Sequence, residues 1–303
     1  MKKIIKELWD KRELYMLAIP GFLFLIVFRY IPLQGHILAF KNYRLRDGIW
    51  GSRWVGFENF EFFFTSRDFL IVTRNTIFLN ILFIFGSLLM GLVLAIFLNE
   101  IRNYFYKRFS QSVIFLPHFI SWMVVSIMVY GFFSTSGLIN NFITSIGLEK
   151  VKWYMNPEPW PIILMFIRIW KAAGYNSIIF LAAITGLPSS IYESAMIDGA
   201  NRFQQILYIT IPLVRSTAII LALLAIGRIF SGDFGMIYAI IGDNGILYEY
   251  TDIIDTYAYR ALRQMGDFSM SSVIVLYQST MGVITIMLFN WVVKKVDKES
   301  SLF

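Results

Sequence analysis

The sequence predicts an all-α, polytopic membrane protein with about six transmembrane helices. Three observations predict it. The chain of 303 residues is 57% hydrophobic and only 16% charged, more apolar surface than a soluble domain of this length carries. Its apolar residues fall in long runs, each about the 20 residues or more that cross hydrocarbon. Its basic residues gather at the ends of those runs, where they report orientation in a bilayer. The net charge of +7 therefore points to membrane lipid, and not to nucleic acid, as the contact. The absence of cysteine excludes disulfides, thiolate metal ligands and cysteine nucleophiles. His36 and His118 alone cannot build the usual zinc constellations. No metal site and no catalytic group is expected.

The opening MKKIIKELWDKRE is basic, and no small-residue cleavage site follows the apolar run that begins at Leu14. Residues 1–13 are read as a cytoplasmic segment and 14–303 as one transmembrane domain. The runs lie at roughly 14–38, 70–98, 111–133, 160–185, 213–241 and 269–293. An even number puts both termini on one side. Lys2, Lys3, Lys6, Lys11, Arg12, Arg102, Lys107, Arg108, Arg202, Lys294, Lys295 and Lys298 outnumber the basic residues of the opposite loops, Lys41 among them. That modest bias makes the terminal side cytoplasmic, in a cell (plasma) membrane. Trp50, Trp54, Trp153, Trp160 and Trp291 stand where interfacial belts are expected.

Between the fourth and fifth runs lies GLPSSIYESAMIDGANRFQQILYITIPL, residues 186–213, patterned for two short helices. Ser190 followed by Glu193 has the spacing of a capping box, and Gly199 suits a left-handed stop, which predicts a helix over 191–198. Asn201 caps a second helix with Gln204 as its partner. Phe203, Ile206 and Leu207 give that helix an apolar stripe, and Pro212 marks the entry to the fifth run. Patterning alone also fits an amphipathic hairpin lying on the membrane.

The order Glu193, Ser194, Ala195, Asp198, Gly199, Ala200, then Ile209 and Pro212, resembles the EAA loop of binding-protein-dependent ABC importers. Ser194 replaces the usual second small residue, alanine. The resemblance implies the type I ABC importer permease fold and a coupling helix that inserts into an ATPase subunit. It also implies a second, homologous permease, two ATPase subunits that bind ATP and Mg, and an extracellular substrate-binding lipoprotein. No Gly-Lys pair occurs in the chain, so it lacks a Walker A loop and is not itself an ATPase. RYIPLQGHILAFKNY, WVGFENFEFFF and FLPHFISWMVVS resemble the maltose-permease-like carbohydrate branch. IRIWKAAGYNSIIFLAAITGLP, GRIFSGDFGMIYAI and TDIIDTYAYRAL resemble permeases for oligosaccharides or polysaccharide fragments in Gram-positive bacteria. An amino-acid or peptide permease is the alternative within the family. An ion-coupled transporter would place carboxylates in its helices, which hold almost none beyond Asp233. An intramembrane enzyme would need a catalytic constellation, and none is visible.

Candidate substrate contacts follow from cost. Arg228 is placed near the middle of the fifth run, where a guanidinium costs about 2.5–3.5 kcal/mol unless it meets polar company. Asp233 lies five residues on, roughly 140° around a regular helix, so the pair cannot share a face. Arg228 is therefore expected to line a pathway. Arg168 and Lys171 in the fourth run either join it, snorkel, or pair with another helix. Trp122, Tyr238, Tyr257 and Tyr259 could stack on sugar rings or simply pack. His118 is assigned no chemistry.

Overall fold

The computed structural model describes residues 11–296, so the start of the cytoplasmic segment and the last lysine of the charge count, Lys298, lie outside the described residues. Among the described residues five helices are long and apolar enough to cross a membrane, and a pair bent by 52°, Arg202–Leu213 with Arg215–Ile226, brings the number to six if counted as one span. Helix α1 (Arg12–Leu25) continues through a π-helical turn, Ile26–Tyr30, into a tighter 3₁₀ segment, Ile31–Phe40.

Two compact units divide the chain. The first comprises residues up to Thr65 together with Ala258–Tyr277. In it, strands β1 (Lys41–Asn42) and β2 (Arg53–Trp54) pair antiparallel around α2 (Gly48–Gly51), with α3 (Glu58–Thr65) following. Lys41 is only 7% exposed. Its Nζ donates to the carbonyls of Ile49 (2.9 Å) and Trp50 (3.0 Å) at the end of α2. The charge count places this residue among the basic residues of the opposite loops, and here its charge offsets the negative end of a short helix.

The second unit holds Ser66–Tyr257 and Gln278 onward. Its helices are α4 (Arg67–Glu100), α5 (Tyr104–Phe115), α6 (Trp122–Phe133), α7 (Leu138–Ser145) and α8 (Trp160–Thr185). Then come α9 (Ser189–Ile197), α10 (Arg202–Gln205), α11 (Ile211–Leu213), α12 (Arg215–Ile226), α13 (Phe234–Ile241) and α14 (Tyr248–Thr251). Helices α15 (Ile254–Arg263) and α16 (Phe268–Val296) run across the division between the units.

Helices α4 and α8 form the most extensive pairing. Lipid tails are as apolar as leucine, so such pairing depends on close backbone approach through small residues. A Cβ on Gly91 would meet Asn176 Cβ at 2.6 Å and the Ser177 nitrogen at 3.3 Å. One core cluster joins Leu79, Phe83, Val125, Leu164, Met236 and Ile240; a second joins Ala95, Leu98, Phe180 and Ile184.

Two expected spans are interrupted. The third was drawn over 111–133, but Ile120 and Ser121 take extended backbone and separate α5 from α6. The fifth was drawn over 213–241, but it stops at Ile226 and resumes at Phe234. Hydropathy averages across both breaks because FLPHFI is largely apolar and the short GRIFSG is flanked by apolar runs on both sides. Trp160 also departs from expectation. It is fully buried and its indole N–H donates to the Trp153 carbonyl at 2.8 Å, so it is a core residue and not part of a belt.

Candidate functional site

Arg168 and Lys171 lie three residues apart on α8 and so share one face. That face looks onto both breaks. Lys171 has three ammonium protons and meets three carbonyls: Pro117 (3.1 Å), His118 (3.0 Å) and Ile120. The Pro117 carbonyl also accepts the Ile120 N–H at 3.2 Å, whereas His118 and Ile120 lie where the helix end leaves carbonyls without intrahelical partners. At the other break Asp233 caps α13, taking the Met236 N–H on Oδ1 (3.0 Å) and Arg168 on Oδ2 (2.7 Å). The loosened carbonyls there are also satisfied. Asn80 Nδ2 donates to Ile229 (2.8 Å) and Ser231 (3.3 Å), and Gln278 Nε2 donates to Phe230 (2.8 Å). Gln278 also reaches Asp255 (2.9 Å), which accepts the Gly232 N–H at 2.6 Å. Asp255 lies outside the spans. Burial raises its carboxyl above the ordinary value, against the opposing pull of the Gln278 and Gly232 hydrogen bonds. Hydrocarbon offers no water to exposed carbonyls, so side chains from α4, α8 and α16 take that role.

Between the breaks lies a cavity of about 480 Å³, lined by Asn80, Ser87, His118, Trp122, Arg168 and Lys171 among others. Arg168 and Lys171 supply its charge, and no carboxylate is in its lining. Lys171 Nζ sits 5.0 Å and Arg168 Cζ 6.0 Å from the Trp122 ring centroid. The indole also packs against α13, since a Cβ on Gly235 would come within 3.1 Å of it. Trp122 thus backs the two cations and does not offer a bare stacking face. His118 stacks on Tyr175 (5.0 Å) and Phe115 (5.5 Å), a packing role.

The other expected contacts are placed differently. Arg228 is exposed, in the turn beyond the end of α12 and outside the cavity lining. Its argued separation from Asp233 assumed a regular helix, which the break removes; Asp233 instead pairs with Arg168. Tyr238 stacks on Phe234 at 5.2 Å and Tyr257 is 8% exposed. Sequence reasoning missed Asn80 and Gln278, although a lone amide inside an apolar run was the available signal.

In the connecting segment, α9 starts at Ser189 after Pro188, with no side-chain cap. Ser190 lies inside the helix, so the Ser190–Glu193 box does not form. The stop is as expected. Gly199 has φ +82°, its N–H donates to Met196 (3.1 Å), and the Ala200 N–H donates to Ala195 (2.9 Å). The Asn201–Gln204 box forms in both directions, at 2.9 and 2.8 Å. Tyr192 and Thr210 hydroxyls, 2.9 Å apart, tie the pair together. Glu193, Ser194, Asp198 and Gly199 are exposed, Ala195 and Ala200 half-buried, and Pro212 opens α11. Phe203 and Leu207 are exposed, so the expected stripe faces away from this chain's core.

Gly199→Ala forces a side chain into the left-handed region and should cost about 1–2 kcal/mol. A lowered thermal midpoint in detergent would show this, with Gly199→Asn recovering part of the loss because asparagine tolerates that region.

The family model described as "Binding-protein-dependent transport system inner membrane component" matches residues 87–298. Protein LplB of Bacillus subtilis is 38% identical over 94% of this chain and 90% of its own length. The Bacillus subtilis polygalacturonan/rhamnogalacturonan transport system permease protein YteP is 34% identical over 98% of this chain and 92% of its own. A chain of a bacterial ABC transporter for import of the acidic polysaccharide alginate superposes with TM-score 0.89 at 30% identity, covering 97% of this chain and 99% of that one. A related crystal structure, in complex with an alginate pentasaccharide-bound periplasmic protein, gives 0.87 at 31%. With the model matched over most of the chain and relatives aligned along nearly all of it, this chain belongs to the inner-membrane components of binding-protein-dependent transport systems.

Proposed function

We propose that this chain is the permease subunit of an ATP-driven importer for oligosaccharides or polysaccharide fragments. It forms half of the pathway beside a second, homologous permease. Two separate ATPase subunits bind ATP and Mg, an extracellular lipoprotein delivers the glycan, and both termini face the cytoplasm. The observation that carries this reading is the α9–α10 pair, fixed at its junction by Gly199 and the Asn201–Gln204 box yet exposed along Glu193, Ser194 and Asp198. A flexible tether would transmit no movement. A pair locked at its elbow and joined through Pro212 to a span transmits one. Ala195 and Ala200 keep the elbow compact, and the exposed face is the part an ATPase would grip.

The glycan reading is supported by the names of the relatives and by the polar cavity, in which Arg168, Lys171 and Trp122 are the candidate pathway residues. Glu193→Lys is expected to leave the span architecture intact and to reduce glycan-stimulated ATP hydrolysis of the purified complex by roughly ten-fold, the size of a lost charge-assisted contact. Parental hydrolysis and assembly in that variant would refute the coupling assignment.

A further inference from the structure

We infer that the cavity selects glycans bearing carboxylates, and that Arg168 takes the glycan carboxylate in exchange for Asp233. The inference rests on the glycan pathway proposed above. Its starting point is the unequal state of the two cavity cations. Lys171 has committed its three protons to Pro117, His118 and Ile120. Arg168 has not committed its own. A guanidinium carries five N–H donors in a planar fork, and among the described residues Arg168 makes a single hydrogen bond, from NH1 to Asp233. The pair is half-open, with the two side chains 34% and 22% exposed.

A partly enclosed guanidinium with most of its donors unused calls for acceptors, and the ligand best shaped to use them is a carboxylate binding through both oxygens. A sugar hydroxyl offers one oxygen and no charge. Among the described residues Asp233 is the one carboxylate at the guanidinium and none is in the cavity lining itself, while Lys171 adds attraction from 5.0 Å above the same indole that backs Arg168. Asp233 can give up Arg168 without losing its place, because its other oxygen holds the Met236 N–H at the start of α13. Loading the cavity then removes the ion pair between α13 and α8 and leaves the apolar cluster of Leu164, Met236 and Ile240, so substrate charge and loss of that polar tie become one event. Two similar proteins fit the same chemistry: the polygalacturonan/rhamnogalacturonan permease and the importer of the acidic polysaccharide alginate.

The test uses the whole importer in proteoliposomes, with this chain, its partner permease, the ATPases and the binding lipoprotein. Uptake is measured for trimers of galacturonate, mannuronate and glucuronate and for their carboxyl-reduced counterparts of identical linkage. At least one acidic trimer is expected to enter roughly ten-fold faster than its reduced counterpart, and Arg168→Gln should bring that ratio close to one. Asp233→Asn keeps an oxygen for Met236 and removes the competing charge, so it should lower the half-saturating concentration of the acidic trimer several-fold. The lipoprotein is the same in every arm, so a changed ratio belongs to this chain. Should Arg168→Gln fail to accumulate, Arg168→Lys serves: it keeps the charge, loses the fork and should lose most of the discrimination. An acid-to-neutral ratio unmoved by the Arg168 variants overturns the inference, as does preferential uptake of reduced trimers, which leaves the glycan reading standing. Transport of peptides or amino acids alone overturns both.

Discussion

Gly174→Ala is expected to abolish accumulation of the folded chain. A Cβ at this position would run into the Ile114 carbonyl oxygen, with the Ile114 carbonyl carbon at 2.7 Å and Phe115 Cα at 3.1 Å. All three atoms are backbone. A flexible side chain in their place could rotate away, but relief here requires α5 and α8 to separate. Inserting one methyl group into a well-packed contact costs about 1–3 kcal/mol, and rigid neighbours push toward the upper end. The damage spreads, because α5 leads directly into the carbonyls held by Lys171. Gly131 on α6 is the matching control, since nothing lies within 4 Å of its added Cβ. Alanine there should be neutral or stabilise by up to about 1 kcal/mol through helix propensity. The measurement is the yield of monodisperse protein extracted from membranes and its thermal midpoint. Equal yields and midpoints for the two variants would show that the α5–α8 contact yields more easily than its geometry implies.

Lys171→Met is expected to cost several kcal/mol. Methionine matches the length and apolar stem of lysine, so it changes little in packing while removing all three donors. Each carbonyl left unpaired away from water costs about 1–3 kcal/mol, and His118 and Ile120 lose their shared partner together, while Pro117 keeps the Ile120 N–H. Partial recovery through tightening of the break is limited by Pro117, which cannot donate an N–H to an earlier carbonyl. Thermal unfolding in detergent measures the loss, with Lys150→Met, on the exposed loop before α8, as the reference for removing a lysine charge alone. A midpoint in Lys171→Met equal to that reference would mean that the ammonium is dispensable to the break.

The spans and the second half of the connecting segment were legible because their causes are local. Twenty apolar residues need no partner to declare themselves, and Gly199, Asn201, Gln204 and Pro212 act on backbone atoms within a few positions. The first half was misread for an equally local reason: Pro188 starts the helix before Ser190 can cap it. What escaped is long-range. Arg168 meets Asp233 across 65 residues, and Lys171 meets Ile120 across 51. Spacing along one helix carries no information about either pairing. The breaks had a visible signature in Pro117 and in Gly227, Gly232 and Gly235, but hydropathy windows pass over such punctuation.

Because Arg168 and Lys171 occupy one turn of α8, that turn serves as a common axle for the two seams. Lys171 grips the end of one seam and Arg168 the start of the helix beyond the other. One turn of α8 is therefore tied to two neighbours at once.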